Sequence, residues 1–342
     1  MKTASTRNVG KIAVLLGSLL CLCTANAETG EAVAEARHAF VERMVADHGF
    51  DEDELRTTLE AATIEQRILD AISRPAERVV PWFEYRNIFL TDKRIAAGVQ
   101  FWKDNAATIE RLAAEYGVAP EMAVGIIGVE TFFGQIMGRY RVVDALSTLA
   151  FAYPPRAKFF ASELESFLLL TREEGVDVFQ PLGSYAGAMG AGQFIPSSYR
   201  AYAVDANGDG RRDIWTDWED VVGSVANYFK RHGWKAGHPV VDRATRPQAW
   251  SGPEPANRLE LDSTIGALRE MGYVFTTDQP ASSPAAVFSF EAEGGGSEYW
   301  VAHHNFHVIT RYNRSPKYAL AAHQLSQAIR DEYVAAIGSN LE

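Results

Sequence analysis

A lone carboxylate interrupts an apolar stretch of the sequence. The stretch runs from residue 120 to 134 and begins with Pro120, which suits the first turn of a helix. On a continuous helix, the neighbours of Glu130 at three and four positions would be Ile126, Ile127, Phe133 and Gly134. An apolar environment disfavours the anion and raises the pKa of a carboxyl. Glu130 could therefore stay protonated near neutral pH and give its proton to a glycosidic oxygen.

A structural role for Glu130 is the alternative. The side chain would then reach solvent at the edge of the helix, or pair with an arginine such as Arg139 or Arg141. Because structural ion pairs also perturb carboxylates, these residues alone leave both roles open.

Oxygen-bearing side chains between residues 205 and 213 have the spacing of a calcium-binding loop. Asp205, Asn207, Asp209 and Asp213 stand at loop positions one, three, five and nine, and Gly210 stands at position six, where the chain must turn sharply. Position seven, which contributes a backbone oxygen in such loops, is Arg211.

Position twelve of this loop departs from the pattern. It is Thr216 instead of a glutamate, so we take Asp220, just before the next helix, as the candidate for the last ligand. We expect a structural Ca²⁺ and no organic cofactor. An aspartate-rich turn that caps a helix without metal is the alternative. A cluster of three histidines, His303, His304 and His307, lacks a supporting carboxylate motif and does not predict a metal site.

Residues 183–197 form a glycine-rich segment, GSYAGAMGAGQFIPS. Missing side chains let backbone and substrate approach closely in such a loop, and Ser184 and Gln193 offer neutral hydrogen-bonding groups. A purely structural loop packed through small residues is the alternative.

The N-terminus predicts export. Residues 1–27 combine three basic residues, an apolar run from 12 to 22 and a small-residue site at 25–27, which is the pattern of a cleaved secretory signal. The run is shorter than the roughly 18 residues of a membrane anchor. Leucines precede Cys21 and Cys23, where lipid attachment requires a small residue. We therefore expect a soluble periplasmic protein.

Composition narrows the classes of partner. Of the 342 residues only two are cysteines, and both lie in the predicted signal, so the mature chain would have no disulfide. The formal charge is −11 at pH 7, and loss of the three basic signal residues makes it more negative. We therefore expect no nucleic-acid partner. We expect a monomer.

Helical periodicity dominates the first two thirds of the chain. Residues 28–80 predict an N-terminal helical lobe, and residues 81–240 a helical core with loops at 153–155, 175–192 and 204–220. An aromatic cluster at 81–85 fits either core packing or one wall of a sugar cleft.

The last third has a different composition. Residues 241–298 predict a small mixed lobe, and residues 299–342 the final strands and helix that complete the cleft. The expected strands are 287–290, 298–302 and 306–310, with glycines 294–296 joining the first two, and the final helix is 315–337. The pattern predicts an α+β fold that is mostly helical, with a short antiparallel sheet.

Four motifs together resemble the membrane-bound lytic murein transglycosylase B family. They are GVET at 128–131, the glycine-rich loop, GSVANYF at 223–229 and ITRYNRS at 309–315. The resemblance implies a lysozyme-like core flanked by a helical lobe and a small mixed lobe. It also implies cleavage of the β-1,4 bond between N-acetylmuramic acid and N-acetylglucosamine in peptidoglycan, with a 1,6-anhydromuramyl product. Cell-wall synthesis or remodelling proteins are the expected partners.

The resemblance also assigns roles to residues. Glu130 matches the catalytic acid/base of the family. The residues that match groups lining the glycan cleft are Ser184, Gln193, Tyr312, Asn313 and Tyr318, with Tyr85 and Arg156 as weaker matches. Pro155 stands where a second basic residue is expected, which weakens the expected contacts to the peptide stems.

Two other functions fit part of the sequence. A muramidase that hydrolyses the same bond would need a second carboxylate, for which Asp144 and Glu163 are candidates. A non-catalytic peptidoglycan-binding protein would keep the aromatic cleft without needing a protonated glutamate.

Overall fold

The structure is a computed structural model that describes residues 13–73, 80–247 and 250–338, with side chains from residue 30 onward. Residues 1–12 and the side chains of the predicted signal lie outside this part. In the described ranges no single helix is long and apolar enough to cross a bilayer, although α6 (Ala106–Tyr116) and α7 (Pro120–Thr131), bent by 114°, meet that test as a pair.

Helices form most of the described chain, as predicted. The helices other than α6 and α7 are α1 (Ala13–His48), α2 (Glu52–Ala61), α3 (Gln66–Ser73), α4 (Trp82–Phe89), α5 (Asp92–Asp104), α8 (Val142–Ala152), α9 (Ala157–Glu174), α10 (Pro196–Tyr202), α11 (Trp218–Arg231), α12 (Ile265–Glu270), α13 (His304–Tyr312) and α14 (Pro316–Gly338). A 3-10 turn at Pro154–Arg156 precedes α9.

In the described ranges, two small antiparallel sheets accompany the helices. The strands are β1 (Tyr140–Arg141), β2 (Leu182–Gly183), β3 (Val241–Ala244), β4 (Ser263–Thr264), β5 (Pro284–Glu291) and β6 (Ser297–Ala302). β1 pairs with β2, and the other strands form one sheet in the order β3-β6-β5-β4. The predicted hairpin at 287–302 is confirmed, with its three glycines at the turn. The prediction of a mostly helical α+β fold is likewise confirmed.

The predicted strand at 306–310 is wrong, because this segment lies within α13. Its aromatic and β-branched residues favour a strand by composition. Its buried residues Phe306, Ile309 and Thr310, however, follow helical spacing, and the carbonyl of His303 accepts the backbone N–H groups that begin the helix. Strand β3 was not predicted, since its four residues lie in a segment that prolines interrupt.

The N-terminal helices pack on the core through polar as well as apolar contacts. Leu59 of α2 and Ile68 of α3 are buried. The backbone N–H of Thr63 donates to the Asp144 carboxylate at 2.9 Å, and that of Glu65 donates to the Thr148 hydroxyl at 2.9 Å. The loop between α2 and α3 is thereby fastened to α8.

Two hydrophobic clusters hold the described chain together. The larger includes residues of nearly every helix and one face of the sheet, through Phe288 and Phe290. The smaller lies under α12 and contains Ile265, Leu268 and Tyr299. This cluster also contains Val301, so it extends past the expected end of the small lobe at residue 298, and the division into lobes stays a prediction.

Helix α7, which carries Glu130, is almost completely buried. Every residue from Met122 to Val129 is buried, and α14 packs directly against it. A methyl group added at Gly125 would lie 2.0 Å from the Ser326 hydroxyl and 3.1 Å from the backbone oxygen of Ala322. The two helices approach this closely only because residue 125 has no side chain.

Replacing Gly125 with alanine should therefore destabilise the fold. The clash should cost about 1–3 kcal/mol, which exceeds the gain of roughly 1 kcal/mol in helix propensity. Urea denaturation of the variant measures the loss. Gly30→Ala in α1 is the control, because nothing lies within 4 Å of its added methyl group. Equal midpoints for the Gly125 variant and the parent would contradict this packing.

Candidate active site

The helix that carries Glu130 ends one residue later, at Thr131. The next three residues, Phe132, Phe133 and Gly134, are all left-handed, with φ of 52°, 57° and 79°. Phe133 turns back under the helix, where its ring stacks on Phe101 with centroids 5.3 Å apart. The expected helix through residue 134 is therefore wrong, and Phe133 and Gly134 do not form a helical collar around Glu130.

Tyrosines surround Glu130 instead. The Tyr318 hydroxyl donates to Glu130 Oε1 at 2.5 Å, and the Glu130 charge also acts on Tyr85 and Tyr312. Burial raises the pKa of Glu130 to about 7, while the hydrogen bond from Tyr318 opposes that rise. Part of the side chain stays accessible to solvent. Glu130 is therefore a carboxyl that can be protonated near neutral pH and still reach a substrate.

The predicted structural alternative, an ion pair between Glu130 and an arginine, is not seen. Arg141 pairs with Asp144, with Nε and Oδ2 2.6 Å apart, and Arg139 is exposed. Within the ranges that the structure describes, no ion pair involves Glu130.

Ser184 lies in a tight turn of the glycine-rich loop. Its hydroxyl oxygen accepts the backbone N–H groups of Ala186 and Ala188, at 3.3 and 3.1 Å. The proton of the hydroxyl is left to donate to another group. Because the side chain is half-buried, Ser184 is positioned by the loop and open on one side.

Gln193 fastens the same loop to the turn before β1. Its amide nitrogen donates to the backbone oxygens of Met137 and Gly190, at 3.1 and 3.0 Å. Its backbone is left-handed, with φ of 52°. The amide oxygen of this half-buried side chain is the atom left to accept a further hydrogen bond.

Tyr312 reaches the loop from the end of α13. Its hydroxyl donates to the backbone oxygen of Gly192 at 2.5 Å, and its ring packs edge-on to Tyr228 with centroids 4.7 Å apart. Burial raises the pKa of Tyr312 well above its usual value, and the nearby Glu130 charge adds to the effect. The adjacent Asn313 is exposed. Tyr312 thus connects the loop of Ser184 and Gln193 with the surroundings of Glu130.

The aromatic cluster at 81–85 contributes to core packing, and its role as a wall of a sugar cleft stays a prediction. Trp82 is buried and lies 5.2 Å from the Phe290 ring. Tyr85 is half-buried, and its pKa is raised by burial and by the Glu130 charge. The cluster therefore contributes one core residue and one residue near the carboxyl.

Arg156 is not joined to these residues by any contact in the described ranges. It is exposed, and its guanidinium lies 4.3 Å from the centre of the Phe159 ring and 4.9 Å from that of Phe160. Its predicted role in substrate binding stays a prediction.

Both candidates for a second catalytic carboxylate have structural partners. Asp144 accepts hydrogen bonds from Arg141 and from the backbone of Thr63. Glu163 accepts from the Ser197 backbone at 2.9 Å and from its hydroxyl at 2.7 Å. These contacts hold α8 and α9 to neighbouring segments rather than to the surroundings of Glu130.

The predicted calcium loop is organised by its own side chains. Asp205 accepts backbone N–H groups from Gly208, Asp209 and Gly210, at 2.7, 3.1 and 2.8 Å. Asn207 and Asp209 each accept the N–H two residues later, at 2.8 and 2.9 Å. The carboxylate and amide oxygens thus gather the loop around a turn at Gly210, whose φ is 90°.

Asp213 and Asp220 fix the end of this loop. The Asp213 carboxylate accepts the N–H groups of Trp215 and Thr216. Asp220 is 1% exposed, and its two oxygens accept the N–H groups of Ala206 and Asp213, each at 2.7 Å. Asp220 therefore clamps the two ends of the loop together, a role that the sequence did not indicate. Its predicted role as an ion ligand stays a prediction.

Two of the three histidines, His304 and His307, lie in α13, and His303 directly precedes it. His303 hydrogen-bonds Asp242 at 2.6 Å, and His304 and His307 bond backbone oxygens. In the described ranges, histidine, cysteine, aspartate and glutamate form no group of three that could hold a metal ion.

The family model of the transglycosylase SLT domain matches residues 32–327. The chain belongs to this family of lytic transglycosylases. Membrane-bound lytic murein transglycosylase B of Escherichia coli strain K12 is 42% identical over 305 residues, which cover 85% of this chain and 81% of that protein. The resemblance seen in the four motifs is confirmed, and the chain is a peptidoglycan-cleaving enzyme of the lyase type.

Solved structures agree with this assignment. The soluble lytic transglycosylase SltB1 of Pseudomonas aeruginosa is 49% identical with a TM-score of 0.83, covering 86% of this chain and 98% of that one. The fold of this transglycosylase is thus lysozyme-like, as the resemblance implied.

Two relatives were solved with ligands. E. coli Slt35 in complex with calcium is 41% identical with a TM-score of 0.79, covering 87% of this chain and 94% of that one. P. aeruginosa SltB3 in complex with NAG-anhNAM-pentapeptide is 28% identical with a TM-score of 0.77, covering 87% and 80%. Relatives of this transglycosylase therefore bind peptidoglycan fragments.

Sequence reasoning missed Thr131, which follows Glu130 in the GVET motif. Its hydroxyl donates to the backbone oxygen of Ala191 at 2.8 Å. A threonine at a helix end carries no local signal of such a contact, since the partner is 60 residues away. The motif itself was the only sign that the position matters.

Removing the Tyr318 hydroxyl should change the pH dependence of the transglycosylase. In Tyr318→Phe the hydrogen bond that lowers the Glu130 pKa is lost, so burial should raise that pKa beyond about 7. A general acid loses activity as pH rises through its pKa, so the alkaline limb of kcat/KM should move to higher pH.

The pH profile of kcat/KM measures this shift. Tyr333→Phe on the same helix is the control, because that tyrosine stacks on Trp102, 4.6 Å away, and should leave the limb in place. A limb that stays put or moves to lower pH in Tyr318→Phe would reject the assigned hydrogen bond.

Proposed function

We propose that Glu130 is the acid and then the base in cleavage of the β-1,4 bond between N-acetylmuramic acid and N-acetylglucosamine. The carboxyl with a pKa of about 7, partly accessible and hydrogen-bonded to Tyr318, is the observation that carries this proposal. A non-catalytic binding protein would have no need for such a group.

In the first step the protonated Glu130 gives its proton to the bridging oxygen while the glycosidic bond breaks. The departing N-acetylglucosamine leaves as an alcohol, and positive charge develops on the muramyl ring. Glu130 is then an anion, and the Tyr318 hydroxyl at 2.5 Å stabilises that charge.

In the second step the Glu130 carboxylate removes the proton of the muramyl C6 hydroxyl. The C6 oxygen attacks C1 of the same sugar, which closes a 1,6-anhydro ring and returns Glu130 to its protonated form. Because the substrate supplies the attacking oxygen, neither water nor a second catalytic carboxylate is required. The structural partners of Asp144 and Glu163 support this course over hydrolysis.

The acetamido group of the muramyl sugar can stabilise the cationic ring, as in substrate-assisted glycosidases. Ser184 has a hydroxyl proton to donate, Gln193 an amide oxygen to accept with, and Asn313 an exposed side chain. We assign these three, with Tyr312 and Tyr85, to the glycan cleft. Arg156 is assigned to its rim.

The loop at 205–213 is proposed to bind Ca²⁺. Oxygen ligands would come from Asp205, Asn207, Asp209 and the backbone of Arg211, with Asp213 at position nine and Asp220 as the predicted last ligand. The loop is already turned at Gly210 with these side chains drawn inward, which fits a hard cation. The calcium complex of the related Slt35 adds support. The ion would have a structural role and would stabilise the loop.

We place the mature protein in the periplasm as a soluble monomer. The substrate of the related transglycosylase B is murein, as its name states, and the signal pattern of residues 1–27 agrees with export. Cell-wall synthesis or remodelling proteins are the proposed partners.

The central test is digestion of purified sacculi followed by mass analysis of the muropeptides. The parent protein should yield 1,6-anhydromuramyl ends without incorporating oxygen from labelled water. Glu130→Gln should lose cleavage, by roughly 10²- to 10⁴-fold or more, and still bind glycan strands.

Glu121→Gln, in the first turn of the same helix, is the matched control and should keep activity. Free reducing ends that carry labelled oxygen would show a hydrolase instead. Full activity of Glu130→Gln would reject the assigned acid.

Calcium should raise the melting temperature of the parent protein. An ion present at 100 times its Kd would add about 2.7 kcal/mol, and a chelator should reverse the gain. Asp205→Asn should reduce the response, whereas the exposed Asp47→Asn in α1 should not. A melting curve that neither calcium nor chelator moves would exclude a bound structural ion.

A further inference from the structure

We propose that Thr131 is a positioning residue whose hydroxyl fixes Glu130 relative to the glycine-rich loop. The inference rests on the proposed role of Glu130 and adds to it the group that holds the acid in place. Thr131 is 1% exposed and cannot touch a substrate. Its effect must therefore pass through its neighbours.

The hydroxyl lies 3.3 Å from the backbone oxygen of Ile127, one turn earlier in α7, and makes two contacts outside the helix. It donates to the backbone oxygen of Ala191 at 2.8 Å and accepts the backbone N–H of Gly134 at 3.0 Å. The first contact ties the end of α7 to the glycine-rich loop. The second closes the left-handed turn that reverses the chain after Glu130.

On the side of the loop, Ala191 lies between Ser184 and Gln193. Its own N–H donates to the backbone oxygen of Ile214 at 2.9 Å. Residue 214 directly follows Asp213, which is position nine of the calcium-like loop. Hydrogen bonds through Thr131 and Ala191 thus connect the end of the helix that carries Glu130 with the glycine-rich loop and with the end of the loop at 205–213.

In the turn that follows α7, the backbone preferences of the residues oppose the observed conformation. Phe132 and Phe133 both have positive φ, which side chains with a Cβ rarely adopt. Phe133 keeps its place because Gly128 leaves room for the ring, where an added methyl group would lie 2.7 Å from Phe133 Cζ. The backbone oxygen of Thr131 accepts the Ile136 N–H at 2.9 Å and its hydroxyl accepts the Gly134 N–H, so both groups of Thr131 close the turn.

Without that hydroxyl, the Gly134 N–H and the Ala191 oxygen lose their partner in a buried place. The last turn of α7, which carries Glu130, can then shift away from the loop. Displacement of a catalytic group by about 1 Å lowers turnover by roughly 10²-fold, and entry of water at the helix end lets the Glu130 pKa fall.

The test compares three variants on solubilised peptidoglycan strands. Thr131→Val keeps the shape and loses the hydroxyl, and Thr131→Ser keeps the hydroxyl. Thr148→Val is the matched control, because Thr148 is also buried and its hydroxyl accepts the Glu65 N–H at 2.9 Å and donates to the Thr63 oxygen at 3.3 Å, in contact with the N-terminal lobe.

Thr131→Val should lower kcat by about 10- to 100-fold with little change in KM, and should move the alkaline limb of the pH profile to lower pH. Thr131→Ser should restore both. Thr148→Val should lower the melting temperature as Thr131→Val does, yet leave kcat and the pH profile as in the parent.

Parental kcat and pH profile in a folded Thr131→Val would overturn the inference, as would an equal loss of kcat in Thr148→Val. These results are separate from a failure of the proposed function. That failure would appear in the parent protein, as missing anhydro product, or in Glu130→Gln, as retained activity.

Discussion

The proposed active site depends on the balance between two opposed influences on the pKa of one carboxyl. Burial at the end of α7 raises the pKa of Glu130, and the Tyr318 hydroxyl, 2.5 Å away, lowers it. A group that acts first as an acid and then as a base must be able to take both its protonated and its ionised form near neutral pH. The surrounding tyrosines limit the access of solvent, and Tyr318 donates a hydrogen bond to the anion.

Close helix packing keeps that carboxyl in place. Gly125 lets α14 approach α7, and Gly128 makes room for Phe133 beneath the last turn. The same approach brings Tyr318, at the start of α14, to Glu130, so packing and chemistry share one interface. Residues 122–129 of α7 are buried, so the close-packed helix holds Glu130 at the edge of the core.

Hydrogen bonds to backbone atoms connect the loops around this helix. Asp220 closes the loop at 205–213, Ile214 contacts Ala191, and Tyr312 contacts Gly192. The predicted mature chain has no cysteine, so no disulfide can hold these irregular segments. Buried carboxylates, hydroxyls and the proposed ion are the means by which such loops keep one conformation.

Local sequence patterns predicted the helices of the N-terminal lobe, the final helix at 315–337, the glycine hairpin and the candidacy of Glu130, because periodicity, turn residues and a carboxyl in an apolar run are recognised over a few positions. Tertiary structure decided the rest. The helix ends at Thr131 because the Phe133 ring packs between α5 and α7. Residues 306–310 are helical because their buried residues recur at helical spacing. Tyr318 reaches Glu130 across 188 residues. Contacts between distant segments depend on how the helices pack, and this packing cannot be inferred from a short stretch of sequence.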